Sequence, residues 1–190
     1  MILVRHGQSE FNVRFAQNPV DPGIRDPHLT EIGRRQIAAA AAFIAETHRD
    51  GLRRIVASPY SRTLQSAAIL ADALDLPIQV DADIREHAHF TCDIGTTRTD
   101  LLTQWPHLDF GHLDEEWWPG PEQEHEVDRR AIAYRQRMAA TEDWAEALVV
   151  THWGFIRSLT GHRVKNATVL RLDPTLPHPA GAEVVCVPDV

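Results

Sequence analysis

Met1-Ile2-Leu3-Val4-Arg5-His6-Gly7 runs three apolar residues straight into an arginine, a histidine and a glycine. Ile2, Leu3 and Val4 form the short, unbroken apolar run of a strand buried on both faces, and no turn residue parts them from the pair that follows. Arg5 and His6 therefore fall at the carboxyl end of a central strand. In open α/β sheets ligands bind at that edge, because loops leaving the strand ends line a crevice that the sheet holds rigid. Gly7 removes a side chain where the backbone turns, which lets a bulky anion come close to His6. A lone histidine at a strand end is more often a surface residue, so the functional reading depends on partners elsewhere.

Three later stretches supply them. Ile55-Val56-Ala57 reads as a second apolar strand, and Ser58-Pro59-Tyr60-Ser61-Arg62-Thr63 follows as a loop entering a helix, which sets Arg62 on the same edge as His6. Leu148-Val149-Val150 is a third such strand, followed by Thr151-His152-Trp153-Gly154, and its histidine lands there too. Between them, Ile78-Gln79-Val80 leads to Asp83-Ile84-Arg85-Glu86-His87, which offers a carboxyl group. Two arginines, two histidines and a glutamate, all just after strands, can bind a phosphoryl group and act on it.

These residues resemble the histidine phosphatase superfamily, the phosphoglycerate-mutase-like proteins. The matching motifs are Leu3-Val4-Arg5-His6-Gly7-Gln8-Ser9 with Asn12 behind it, Ser58-Pro59 with Arg62-Thr63 and Gln65-Ser66-Ala67, Glu86, and Val150-Thr151-His152. Arg-His-Gly alone is a weak tripeptide, but the ordered set in strand context is specific. The resemblance implies a phosphate pocket of Arg5, Asn12, Arg62 and His152, with Glu86 protonating the leaving oxygen. It also implies a phosphatase or a mutase, since the superfamily contains both.

The bulk properties narrow the class. At 190 residues one compact domain is expected, residues 1–190, with a lid-like insertion at about 87–125. A net charge of -8, from 19 Lys and Arg against 27 Asp and Glu, argues against a nucleic-acid or anionic-membrane partner, since both need a basic face. Any phosphate site is then a local cluster of cations inside an acidic exterior. No apolar run approaches the ~20 residues of a membrane span, and the chain opens on a strand instead of a signal core. A cytoplasmic protein is expected, with Cys92 and Cys186 as free thiols.

Along the chain, Gln8 to His28, punctuated by Pro19, Pro22, Gly23 and Pro27, reads as a long loop over the site, from which Asn12 and Arg14 reach toward phosphate. Thr30 caps a helix whose apolar face is Ile37, Ala40, Ala41 and Ile44, and Leu64, Ala67, Ala68, Ala71 and Leu74 mark the next one. Residues 87 to 125 are the least regular, with a short helix from Thr97 to Trp105 and the pair Trp117-Trp118 before Pro119-Gly120-Pro121. Two adjacent rings on extended backbone point to opposite sides, so one of them is expected to face the cleft or a partner. Further helices follow from Glu124 and from Gly154. Val169-Leu170-Arg171-Leu172 and Glu183-Val184-Val185-Cys186-Val187 read as an antiparallel pair at the sheet edge. The expected fold is a three-layer α/β/α sandwich on a mostly parallel sheet.

A neutral imidazole is a good nucleophile toward phosphorus, and His6 takes that role, its other nitrogen held by a backbone carbonyl that sets the tautomer. Arg5, Arg62 and His152 neutralise the phosphoryl oxygens. Glu86 is the acid, with Asp83 as the fallback. Hydrolysis of a small phosphorylated metabolite is expected, without cofactor or metal and with no oligomeric state specified. A phosphoglycerate mutase-type phosphotransferase is the alternative. It is disfavoured because the segment from Thr99 to Asp128 has no Lys or Arg and several acids. Two departures from the family's pattern bear on substrate. Trp153 stands between His152 and Gly154, and His89-Phe90-Thr91-Cys92-Asp93 replaces a glycine-rich segment. Gly7, Trp117, Trp118 and Trp153 are the candidate substrate contacts. A metal-dependent hydrolase using the His87-Ala88-His89 pair, and a non-catalytic phosphate-binding protein, are weaker readings.

Overall fold

A computed structural model describes residues 1–190. Its centre is a six-stranded sheet: β1 (Ile2–Arg5), β2 (Arg54–Ala57), β3 (Ile78–Val80), β4 (Ala147–Thr151), β5 (Val169–Leu172) and β6 (Ala182–Cys186), in the order β3-β2-β4-β1-β5-β6. The first four positions are parallel, with β4 bonded to both β1 and β2, while β5 and β6 run antiparallel at one edge. Parallel neighbours carry their carboxyl ends to one edge of the sheet, and that geometry gathers the site.

Six helices cover the sheet: α1 (Glu10–Gln17), α2 (Glu31–Thr47), α3 (Ser61–Leu74), α4 (Arg98–Gln104), α5 (Glu124–Ala139) and α6 (Trp153–Thr160). Side chains alternate across a strand, so the continuous apolar runs feed two cores. Ile2, Val4, Ile55, Ala57, Leu148 and Val150 point into one with Ile37 and Ile44 of α2 and Leu64 and Leu70 of α3. Leu3, Val56, Val149 and Leu170 point into the other with Tyr134 of α5 and Phe155 of α6. The α/β/α layering follows from that division.

Two regions differ from the reading of the sequence. Gln8 to His28 is not loop throughout, because Ser9 and Asn12 form a reciprocal cap that starts α1. The Ser9 side chain accepts from the Asn12 N–H, and the Asn12 side chain accepts from the Ser9 N–H. Residues 87 to 125 are also more than a cover. Leu101, Leu108, Phe110, Leu113 and Trp117 belong to the α2/α3 core, which they extend beyond the sheet edge.

Gly7 meets a helix where an anion was expected. A Cβ there would lie 2.3 Å from the Gly33 carbonyl oxygen, and one on Gly33 would lie 2.0 Å from that of Gln8. The two glycines let α2 lie against the chain leaving β1, and Gly7 does not line the cavity described below. Asp26, at a left-handed φ of 40°, reaches across to the start of α3, where its carboxylate accepts from the Ser61 N–H and hydroxyl. Tyr60, the local cap residue, makes no such bond.

Candidate active site

A cavity of about 690 Å³ opens at the carboxyl edge of the parallel strands. Arg5, His6, Asn12, Arg62, Glu86 and Trp153 line it, and His152 lies fully buried behind His6, the two rings 5.2 Å apart and edge-on. The side chains of His6, Glu86 and His152 come within 4.8 Å of one another. Residues from β1, α3, the segment after β3 and the end of β4 thus meet although 146 positions separate the two histidines.

Each group is held in one state by its surroundings. The Nδ1–H of His6 donates to the Gly7 carbonyl at 2.7 Å, which leaves Nε2 with its lone pair free. Burial, and then the Arg62 and Arg5 guanidiniums, push the His6 pKa well below its ordinary value, so the ring is neutral at pH 7. His152 is neutral for the same reasons, burial first and Arg62 second. The His152 Nε2 shares a hydrogen bond with the Ser58 hydroxyl at 2.9 Å, and its Nδ1 is a buried atom with no protein partner. Arg5 donates through Nη1 to the Val164 carbonyl at 2.8 Å, while its buried Nε also lacks a partner. Burial lowers the Arg5 pKa to about 10, so it stays cationic. Unpaired buried donors beside a cavity mark places where an acceptor fits.

Glu86 is held toward its protonated form. Burial raises its pKa, Asp93 raises it further, and Arg62 works in opposition. Its Oε1 accepts from the His87 N–H at 2.9 Å and the Gly154 N–H at 2.7 Å, which leaves Oε2 to carry the proton. Gly154 is required there, since a Cβ would come within 2.5 Å of that Oε1. Gly154, one position past Trp153, thus stands where the Glu86 carboxylate comes close, and the Trp153 indole itself lines the cavity.

Several residues of the site carry no obvious sequence signal. Asp93 pairs with Arg62 at 3.2 Å, both being 3 % exposed, and its other oxygen accepts from the N–H groups of His89 and Phe90. The Arg62 Nη1 donates to the Cys92 carbonyl and its guanidinium lies over the Tyr60 ring, 4.4 Å from the centroid. Glu122 accepts from Arg85, from Arg130 and from the Ala88 N–H. Arg130 donates to the carbonyls of Asp83, Arg85 and Glu86. These contacts hold the segments bearing Arg62 and Glu86, and only the chain's path through space brings them together.

Other sequence candidates lie elsewhere. Trp117 is 8 % exposed, its indole N–H donates to the Thr96 carbonyl, and it stacks edge-on against Tyr60 at 4.7 Å, which in turn meets His152 at 5.2 Å. Trp118 lies under the Arg25 guanidinium. Neither ring lines the cavity, because the apolar residues around them draw the segment into the core. Asp83 is exposed and paired with Arg137, away from the cavity, which removes it as the fallback acid. Arg14 is exposed and outside the cavity. Asn12 lines it, but its Oδ1 accepts from Ser9 and from Asn166, so only the amide NH2 faces a ligand. His87 and His89 are not on a strand, and the His87 Nε2 donates to the Glu122 carbonyl. The donor set open to a metal is instead His6, Glu86 and His152, where the Arg5 and Arg62 charges favour an anion over a dication.

Paired histidines and arginines around a cavity at the carboxyl edge of a parallel sheet make a site whose charge suits an anion. The family model of the histidine phosphatase superfamily (branch 1) matches residues 1–180, and the chain belongs to that superfamily. Among curated proteins, the bifunctional protein Rv2228c of Mycobacterium tuberculosis is 33% identical over 154 residues, 80% of this chain and 40% of its own length. The chain thus spans about 40% of the length of that relative. Glucosyl-3-phosphoglycerate phosphatase of Mycolicibacterium vanbaalenii is 29% identical over 169 residues, 84% of this chain and 72% of its own. The solved structure of a mycobacterial glucosyl-3-phosphoglycerate phosphatase in complex with VO3 superposes with a TM-score of 0.62 at 24% identity, covering 91% of this chain and 90% of that one, a likeness of fold.

No helix is long and apolar enough to cross a membrane.

Proposed function

We propose that this chain is a phosphomonoesterase that hydrolyses a small phosphorylated metabolite through a phosphohistidine on His6. The observation that carries the reading is the state of His6: a neutral ring whose Nδ1–H is tied to the Gly7 carbonyl, which leaves Nε2 free in a residue that lines the same cavity as Arg5 and Arg62. Membership of the superfamily and the phosphatase among its relatives support it.

In the first displacement the Nε2 lone pair forms the N–P bond as the P–O bond to the leaving alcohol breaks, and the Glu86 Oε2 proton goes to the departing oxygen. Arg5, Arg62, the Asn12 amide and His152, in the tautomer that protonates its unpartnered Nδ1, receive the phosphoryl oxygens, where charge accumulates in the transition state. In the second, water attacks phosphorus, its proton passes to the Glu86 carboxylate, and the N–P bond breaks to release phosphate and the neutral imidazole. Net hydrolysis is favoured over phosphoglycerate isomerisation because Arg157 on the outer wall is paired with Glu124, so a substrate carboxylate that must turn round in the site meets no free arginine there. The whole chain forms one catalytic domain, and two free thiols support a cytoplasmic setting.

The test is a panel of phosphate monoesters assayed in excess EDTA, with quenched wild-type enzyme examined for acid-labile, base-stable phosphate. Phosphate on His6 and loss of turnover in a folded His6→Ala variant are expected. Turnover that EDTA abolishes points to a metal enzyme, and none on any ester to a binding protein. Conversion of 3-phosphoglycerate with catalytic 2,3-bisphosphoglycerate faster than phosphate release would install the mutase instead.

A further inference from the structure

The phosphoryl end of the cavity uses only part of its volume. Beyond it, Phe11 and Phe15 of α1 and Phe90 of the segment after Glu86 stand together, with ring centroids 5.2, 5.5 and 5.3 Å apart pairwise, and all three line the cavity. Phe11 and Phe15 share a face of α1 because they are four residues apart, and the Ser9/Asn12 cap fixes that helix next to the catalytic strand. The Asp93 carboxylate, which also holds Arg62, accepts from the Phe90 N–H, so the third ring is anchored to the phosphate site itself.

Charge in this outer part is accounted for. Besides Arg5 and Arg62, the one cation on the wall is Arg157, and it is engaged by Glu124 at 3.1 Å and by the Trp153 ring. Glu122 faces the cavity with its charge answered by Arg85 and Arg130. A carboxylate on the leaving group would therefore find no free cation, while a flat apolar ring would find three phenyl faces.

We propose that this aromatic wall is the leaving-group subsite and that it selects phosphate monoesters of uncharged aromatic alcohols over those bearing a carboxylate. The proposal rests on the phosphomonoesterase reading for its catalytic consequence, but the subsite can be measured without turnover. Offset and edge-on ring contacts with the area they bury are worth about tenfold or more in affinity.

Binding of three non-hydrolysable probes, methylphosphonate, benzylphosphonate and 4-carboxybenzylphosphonate, is measured by calorimetry on the wild-type chain and on Phe15→Ala and Phe90→Ala. Hydrolysis of phenyl phosphate and 4-carboxyphenyl phosphate is followed alongside. Benzylphosphonate is expected to bind about tenfold tighter than either other probe, and each Phe variant should shrink its advantage over methylphosphonate several-fold. Phe90→Leu, which keeps an apolar side chain and loses the ring face, should recover part of it. Equal affinity for all three probes, or preference for the carboxylated one, overturns the proposal. So does a loss in both variants that is the same for methyl and benzyl probes, because that marks a fold defect or a role at phosphate. If phenyl phosphate is not hydrolysed while the benzyl preference holds, the catalytic reading falls and the subsite stands. If esters are hydrolysed without the preference, the subsite falls alone.

Discussion

At the scale of single residues the site depends on two groups moved in opposite directions by the same burial. His6 is kept neutral to low pH, and Glu86 holds its proton above the ordinary carboxylate range. Activity on esters with poor leaving groups should therefore rise through an acidic limb, as His6 loses its proton well below pH 6.5, and fall on a second limb as Glu86 ionises. Aryl phosphates with acidic leaving groups need no proton in the transition state. For them the second limb should be absent from the first displacement, read as single-turnover release of the phenol, and Glu86→Gln should cost little in that step, while the same variant slows an alkyl phosphate by about a hundredfold or more. Single-turnover pH profiles of both ester classes decide this; equal losses on both would remove Glu86 as the acid.

At the scale of elements, the segment carrying Glu86 has little regular structure beyond a short turn at Ala82–Ile84, and it is held from α5. Arg130 donates to three of its backbone carbonyls while Glu122 anchors both Arg85 and the Ala88 N–H. We expect Arg130→Ala to lower kcat by about tenfold and to shift the Glu86 limb, since a loosened carboxyl group gains water. Lysine cannot reproduce the guanidinium fork, so Arg130→Lys should rescue poorly. A fall in melting temperature with kcat and the pH profile unmoved would make Arg130 structural only. Trp117 belongs to another element and behaves as core. Trp117→Ala should cost roughly 3–5 kcal/mol, a drop of about 10 °C in Tm, with the preference among substrates unchanged. A changed preference and an unmoved Tm would return the ring to the cleft.

For the whole molecule, burying two neutral histidines ties stability to pH. His6 and His152 have folded pKa values far below the unfolded value of about 6.5. Below that value the unfolded chain takes up protons that the native chain refuses, so stability is full above pH 6.5 and falls as pH drops, by up to about 1.4 kcal/mol per pH unit for each histidine. Glu86 acts with the opposite sign. Its raised pKa makes the native state the tighter proton binder above about pH 4.5, which offsets part of the loss. Melting temperature should thus decline between pH 7 and 5, and His152→Gln should flatten that decline. An identical slope in the variant would remove His152 as a source of it.

The sequence by itself determined the sheet and most of its furniture. Continuous apolar runs at Ile2–Val4, Ile55–Ala57 and Leu148–Val150 have one stable use, strands buried on both faces, and parallel strands send their carboxyl ends to one edge. Arg5, His6, Arg62 and His152 were legible as neighbours for that reason, and the helices from Thr30, Thr97 and Glu124 from their caps or spacing. Local chemistry also contained α1, in the Ser9-to-Asn12 spacing, although the prolines after it read as loop. What only the tertiary structure decided is where irregular chain goes. Phe90, Asp93, Trp117 and Glu122 lie in segments whose backbone has no period, so their directions come from distant partners: Arg62 for Asp93, Tyr60 for Trp117, Arg85 and Arg130 for Glu122. Gly7 and Gly33 show the same limit from the other side. A glycine advertises room, and only the folded chain says whether a ligand or a helix fills it.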